Sequence, residues 1–418
     1  MKVLIIDLNC DHTNPHFKNY VNAMAKEMEV SFYGPGFSSR ETLDRGLENY
    51  IAVHGKPDVI IVGNYLLESA IDNNMGNAEM LYFWHRYLID SYSIYEASRY
   101  SKAIIRELKE IHNVIRVVKL IRDYITIPQF LYTYLKDLLE QGFFIIGVGQ
   151  EFIPKDLGNK KFGETRTTNL QVELVKEYHS QIIPILWLGG LESNFCFSDL
   201  ATRKYDWNVP GVANNSYPQR VIVREQLRKS EYRLWDEAMI PPELPYKSTR
   251  SVRWKYTKCN SIIEKLIYTL DHNATSFIAN SLKEEDIAAF REQYQRGLRQ
   301  SKCAYVEGTN LKGFVNKYFE APATGTLLVG DIVAGAEQMG FKPNVNMIEA
   351  TPKSILAVSK KIFADPEYMQ EVANNGRKLI IEKHTFTNRA RDTKRIFERI
   401  QKENYRGSHW ENGDLILE

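Results

Sequence analysis

The sequence has little that would tie it to a special environment. Its 418 residues contain four cysteines, Cys10, Cys196, Cys259 and Cys303, scattered without the short spacing of metal ligands. No cysteine-built metal centre or disulfide framework is indicated, and reduced core thiols are expected. No apolar stretch approaches the ~20 residues that cross a bilayer. The apolar run at residues 3–6 stops at Asp7, well short of a secretory leader, so a cytoplasmic chain is expected. A net charge of +2 gives no general pull toward nucleic acid or an anionic membrane. Internal repeats and low-complexity tracts are missing too. So is the glycine fingerprint of dinucleotide-binding oxidoreductases, since Asp7-Leu8-Asn9-Cys10-Asp11 has no glycine, and that class is set aside.

What is there is a globular composition, 44% hydrophobic and 25% charged, in a chain long enough for two or three domains. Residues 3–7, 30–33 and 59–62 are short apolar runs separated by helical patterns, the spacing of a parallel, doubly wound sheet. Asn14-Pro15 reads as the cap and first residue of a helix continuing through Phe17, Tyr20, Val21 and Met24. Residues 114–119, 143–148 and 182–187 are further strand candidates. The lysine-rich section 155–166 reads as a solvated loop, because it lacks interleaved aromatics. Leu188-Gly189-Gly190 marks a turn and a domain boundary.

A second unit starts near Tyr205, with a helix opened by Pro218. Residues 262–270 and 287–298 read as helices, 274–279 as a strand between them, and 303–306 as a strand. A helix from about Leu311 leads into Phe319-Glu320-Ala321-Pro322-Ala323-Thr324-Gly325-Thr326 and the strand at 327–329. Small residues beside an acid at such a turn let a ligand approach the backbone. Thr351-Pro352 and Asp365-Pro366 are cap-and-proline helix starts. The last helix, through Gln401, is expected to be basic on its exposed side (Arg389, Arg391, Lys394, Arg395). The tail from Gly407 is expected to pack loosely or be disordered.

The order Ser301-Lys302, Phe319-Glu320-Ala321-Pro322-Ala323-Thr324-Gly325, Gly340-Phe341, Asn346, Asp365-Pro366-Glu367, Gly376, His384-Thr385-Phe386, Arg389-Ala390 resembles the nucleotide-sugar-binding half of two-domain glycosyltransferases. The nearest pattern is the family 4-like, spore-maturation-type group (glycosyl transferases group 1). The match covers roughly the C-terminal half. It implies an α/β chain of the GT-B kind, two Rossmann-like domains facing across a cleft. The expected units are an acceptor domain at 1–200, a donor domain at 201–385, and a closing helix and tail at 386–418 that can cross back to the first domain.

The resemblance also implies roles. Glu320 falls where the family binds the donor ribose. Thr324, Gly325 and Thr326 would aim backbone N–H groups at the diphosphate, with Gly308 and Thr309 in the neighbouring donor loop. Arg220 and Lys317 match basic positions and are preferred over Arg253, Lys255 and Lys302 for the leaving diphosphate. Lys312 stands where many relatives of this kind have a second glutamate, and a lysine cannot accept hydrogen bonds. Asp11, His12 and His16, just past the first strand, are the acceptor-side candidates for proton removal; the plainer reading makes Asp11 and Asn14 helix caps. His384 fits the pattern as a structural residue. No metal and no cofactor beyond a nucleotide diphosphate sugar are implied.

The expected activity is sugar transfer to a hydroxyl, in building a surface glycan or glycoconjugate. Two alternatives remain open at this point. One is transfer to a modified DNA base, for which residues 250–258 offer a basic footprint. The other is a non-catalytic nucleotide-sugar-binding protein.

Overall fold

The computed structural model describes residues 1–9, 16–71, 92, 94–120, 129–153, 172–195, 198–211, 218–235, 284–308 and 312–418. The first half forms a parallel sheet from β1 (Lys2–Ile6), β2 (Glu29–Tyr33), β3 (Val59–Val62), β4 (Ile115–Lys119), β5 (Phe144–Ile146) and β6 (Ile182–Ile183), in the order β2-β1-β3-β4-β5-β6. Its helices are α1 (His16–Glu27), α2 (Arg40–Asp44), α3 (Leu47–His54), α4 (Asn64–Ala70), α5 (Ile94–Glu110) and α6 (Gln129–Glu140). Alternation along the strands separates two faces. Val3, Ile5, Val59 and Ile61 pack with Tyr20 and Met24 of α1, whereas Leu4, Ile6, Ile60 and Val62 pack with Leu108 of α5 and Leu135 of α6. Strands covered on both faces are apolar throughout, which is why they are so visible in the sequence.

The second sheet, also parallel, has the order β11-β10-β9-β7-β8. Its parts are β7 (Tyr205–Asn208), α7 (Pro218–Arg228), β8 (Leu234–Trp235), α8 (Glu284–Gln300), β9 (Ser301–Val306), α9 (Lys317–Ala323), β10 (Leu327–Gly330) and β11 (Ile348–Glu349). After it come α10 (Ile355–Phe363), α11 (Pro366–Lys383), α12 (Phe386–Gln401) and the antiparallel hairpin β12 (Ser408–Glu411) and β13 (Asp414–Leu417). Asp365 caps α11 by accepting from Tyr368 N at 3.0 Å, and Thr385 caps α12 by accepting from Asn388 N at 3.0 Å.

One hydrophobic core joins the two sheets, running from Val3 and Ile61 through Trp187 and Phe397 to Phe314, Phe341 and Leu328. Helix α12 lies against α1, where Tyr20 and Thr393 share a buried hydroxyl contact and Arg391 pairs with Glu27 at 3.0 Å. The stretch Leu188-Gly189-Gly190 is gripped by the second half. Asn316 Oδ1 accepts from Gly189 N at 3.0 Å, and Gly190 N donates to His384 O at 2.9 Å. Phe341 stacks on His384 at 6.0 Å and meets Phe314 and Phe319 at 5.7 Å. Phe341→Ala is expected to cost about 3–5 kcal/mol, read as a lower denaturation midpoint; an unchanged midpoint would show that this cluster holds nothing.

Four expectations are corrected here. The helix drawn from Leu311 starts only at Lys317, because Lys312 has φ 57, a left-handed conformation that no helix interior accepts. Of residues 182–187 only the first two are strand; Ile185, Leu186 and Trp187 are buried without strand pairing. Arg389 is not on an exposed side. It is fully buried, 4.4 Å over the Trp410 ring, and donates to His384 Nδ1 at 2.9 Å. Nor is the tail loose: Asn412 (φ 49) and Gly413 (φ 87) turn the hairpin, and Trp410 Nε1 donates to Pro184 O at 2.5 Å. The sections at 155–166, 262–270 and 274–279 lie outside the described residues, as do Cys10, Cys196 and Cys259; Cys303 is a buried free thiol.

Candidate functional site

In the second sheet, β7 and β8 run outward in one direction, while β9 and β10 lie on the other side of β7. The crevice beyond the carboxyl ends of β7 and β9 is therefore a topological switch point, where open parallel sheets bind ligands. Three segments supply it: the chain after β7 as far as Gly211, the start of α7, and Glu307 and Gly308 after β9 together with the start of α9.

Gly211 has φ +96, and a Cβ there would stand 2.8 Å from Arg220 Nη1 and 2.9 Å from Lys317 Cε. These contacts put both cations beside the same glycine. Arg220, in the first turn of α7, is 1% exposed. Lys317, which starts α9, is half-buried, and its ammonium lies 6.0 Å from the Tyr294 ring of α8. Burial and the charge of Arg220 push the Lys317 amine down to about 8, with Glu320 opposing. One turn along α9, Glu320 is half-buried and accepts from Tyr294 OH at 2.5 Å. Its carboxyl is raised by burial, which the Tyr294 hydrogen bond and Lys317 oppose.

Beside this group lies a second layer. Glu307, just after β9, accepts from the N–H groups of Gln219 (3.3 Å) and Arg220. The carboxylate thus sits on the positive end of α7. Burial raises the Glu307 carboxyl, and Arg220 opposes the shift. Asp331, after β10, accepts from Lys312 Nζ at 3.0 Å and from Gln219 Nε2 at 3.4 Å. Tyr305 OH donates to Gln219 Oε1 at 3.1 Å. Lys312 is therefore bound to an acid at the strand ends.

The structure gathers Glu320, Lys317 and Arg220 and separates other candidates. Thr324, Gly325 and Thr326 are at the C-terminal end of α9. Gly325 N donates to Pro322 O at 2.8 Å, Thr326 N to Ala321 O at 3.1 Å, and Thr324 N to Glu320 O at 3.3 Å. With those donors used by the helix's own carbonyls, the expected aim at a diphosphate is not what this turn provides. It is a buried C-cap instead, fastened by Arg203, which donates to Thr326 Oγ1 at 2.7 Å and Thr324 O at 2.8 Å. Gly308 is buried tightly, since a Cβ would meet Val333 Cγ1 at 2.6 Å. Lys302 pairs with Asp206 at 2.8 Å near the start of β7 and β9, away from the crevice.

Asp11, His12, Thr309, Arg253 and Lys255, together with the basic section 250–258, lie outside the described residues; His16 opens α1. His384 is fully buried, with Nε2 donating to Met339 O at 2.7 Å, and burial beside Arg389 lowers its basicity. Glu307, Asp331, Tyr294 and Arg203 were missed. Glu307 and Asp331, each directly after an apolar strand, could have been found by position. Among the described residues no group of three or more metal-binding side chains is gathered, and no helix is long and apolar enough to cross a membrane.

Gly211→Ala is expected to press on both cations and to add the cost of a left-handed alanine, about 1–2 kcal/mol. A small fall in melting temperature with a several-fold loss of anion affinity is the result to look for. Unchanged affinity would place Arg220 and Lys317 outside the site.

Nearly all of the chain superposes on two-domain proteins of the GT-B fold. A glycosyltransferase from Rickettsia africae matches with a TM-score of 0.50 at 10% identity, over 96% of this chain and 98% of that one. HepE of Anabaena, solved in complex with UDP, matches with a TM-score of 0.50 at 10% identity, over 95% of this chain and 100% of that one. Sucrose-phosphate synthase of Thermosynechococcus elongatus matches with a TM-score of 0.51 at 12% identity, over 96% and 100%. The fold is α/β, GT-B. By sequence, residues 271–395, which include α9 and most of α12, match the family described as glycosyl transferase-like. No curated protein matches the sequence.

Proposed function

We propose that the chain is a glycosyltransferase that moves a sugar, hexose or pentose, from a nucleotide diphosphate sugar to an acceptor hydroxyl, without a metal ion. Residues 1–200 would receive the acceptor and residues 201–385 the donor, in the synthesis of a surface glycan or glycoconjugate. The observation that carries this reading is the grouping of Glu320 with Lys317 and Arg220 at the switch point of the second sheet. A carboxylate can accept from both hydroxyls of a ribose, and two adjacent cations suit a diphosphate that gains charge as its sugar leaves. The glycosyl transferase-like match across this segment supports it. HepE is a protein of this fold solved with UDP, which makes UDP the first nucleotide to try.

Calorimetry with UDP, GDP, CDP and ADP tests the reading. One of them is expected to bind and to raise the melting temperature by mass action; binding by none sinks the proposal. A non-catalytic binding protein is the second reading, favoured only by Lys312, held at φ 57 against Asp331. Release of nucleoside diphosphate from a bound donor would dismiss it.

A further inference from the structure

The first sheet has a switch point of its own, between β1 and β3, and a buried polar group lies there. Asp7 follows β1, Asn64 opens α4 just after β3, and Lys119 closes β4. Asp7 and Lys119 have no solvent exposure, and Asn64 and Glu68 of α4 have 1% and 3%. Asp7 Oδ1 accepts from the N–H groups of Leu8 and Leu66, both at 2.9 Å. Its other oxygen lies over Gly63, where any Cβ would stand 1.8 Å from it. Lys119 is held over the rings of Phe17 (3.0 Å) and Trp187 (4.2 Å). Burial pushes the Lys119 amine well below its ordinary value, an effect that Asp7 opposes, while Lys119 in turn pulls the Asp7 carboxyl down. Even so, among the described residues Asp7 Oδ2, Lys119 Nζ and Asn64 Oδ1 have no hydrogen-bond partner.

Buried polar atoms are almost always paired, and each exception calls for an explanation. Whatever completes this group must donate to Asp7 and accept from Lys119. A hydroxyl does both through one oxygen. We propose that Asp7 and Lys119 form the binding site of the acceptor hydroxyl, and that Asp7 removes its proton. The proposal rests on the glycosyltransferase reading above. As the acceptor oxygen bonds to the anomeric carbon, its proton passes to Asp7 Oδ2. The bond from that carbon to the diphosphate breaks, and the diphosphate leaves with the electron pair. Both side chains are shielded, so an entering hydroxyl must part the groups that cover them.

The groups facing Asp7 set its behaviour. Burial raises its carboxyl to about 6, Lys119 and the N–H groups of Leu66 and Leu8 pull it down, and Glu68 pushes it up. A base of this kind works above that pH and fails below it.

The test uses the full chain with UDP-, GDP-, CDP- and ADP-glucose, water serving as acceptor, and follows nucleoside diphosphate release from pH 4.5 to 9. Wild-type turnover is expected to rise with pH through an apparent pKa near 6. Asp7→Asn is expected to keep nucleoside diphosphate affinity within about twofold, lose at least a hundredfold in turnover, and flatten the profile. Lys119→Met removes a charge that holds the Asp7 carboxyl down, so its profile should shift to higher pH. Unchanged turnover and profile in Asp7→Asn would mean that only a structural water fills the site, and the proposal falls. Should Asp7→Asn not fold, an unshifted profile in Lys119→Met overturns it. Wild-type protein that binds a donor and never hydrolyses it overturns it as well, since water can serve both atoms. Failure to bind any nucleotide is a different result: it removes the glycosyltransferase reading itself.

Discussion

Glu320→Ala is expected to weaken the favoured nucleoside diphosphate by at least roughly a hundredfold, because two hydrogen bonds to a charged acceptor are worth about 1.5–3 kcal/mol each. Tyr294, Lys317 and Asn316 all bear on the Glu320 carboxylate. Tyr294 OH takes Oε2 at 2.5 Å, and the side chain remains half-open to the crevice. Tyr294→Phe removes that support without touching the ligand, so a smaller loss of about five- to tenfold is expected. Glu320→Gln keeps the shape and one acceptor and should fall between wild type and alanine. Calorimetry gives the affinities, and a thermal melt shows whether each variant is folded. Equal affinity in wild type and Glu320→Ala would take the residue out of the site.

How much of this could be read beforehand depends on what kind of force fixes each feature. The parallel strands were visible because burial on both faces leaves no room for polar residues, as in the all-buried Val59–Val62. Glu320 and its neighbouring cations were visible through a run of residue types in order. What the chain does with polar backbone was not. Thr324-Gly325-Thr326 has the composition of an anion-binding turn, yet its N–H groups close a helix end, and the deciding partner, Arg203, is 121 residues away from Thr324. Arg389 looked exposed because its helix is rich in arginine. It is buried because the hairpin brings Trp410 over it. That hairpin had a local signal, Asn412-Gly413 between alternating residues, which is the strongest short-range mark of a tight β-turn. The crevice layer of Glu307, Gln219, Tyr305 and Asp331 depends on three separate segments, and no single stretch announces it.

Lys317 gives the second large effect, and its sign can be worked out. Its amine titrates near pH 8 in the folded protein, against an ordinary value of 10.5. The unfolded chain therefore binds more protons between these two values. This group's contribution to stability rises with pH across that window and is flat below it. Donor affinity should move the other way. A diphosphate favours the ammonium, so bound ligand raises the Lys317 pKa above that of the free protein. Affinity is then steady below pH 8 and falls above it by up to about tenfold per pH unit, until the bound-state value is reached. Lys317→Gln removes the dependence by holding affinity at the low, high-pH level throughout. UDP titrations from pH 6.5 to 9.5, on wild type and Lys317→Gln, separate the possibilities. Parallel curves for the two proteins would show that another group carries the pH response, leaving Arg220 as the cation that meets the diphosphate.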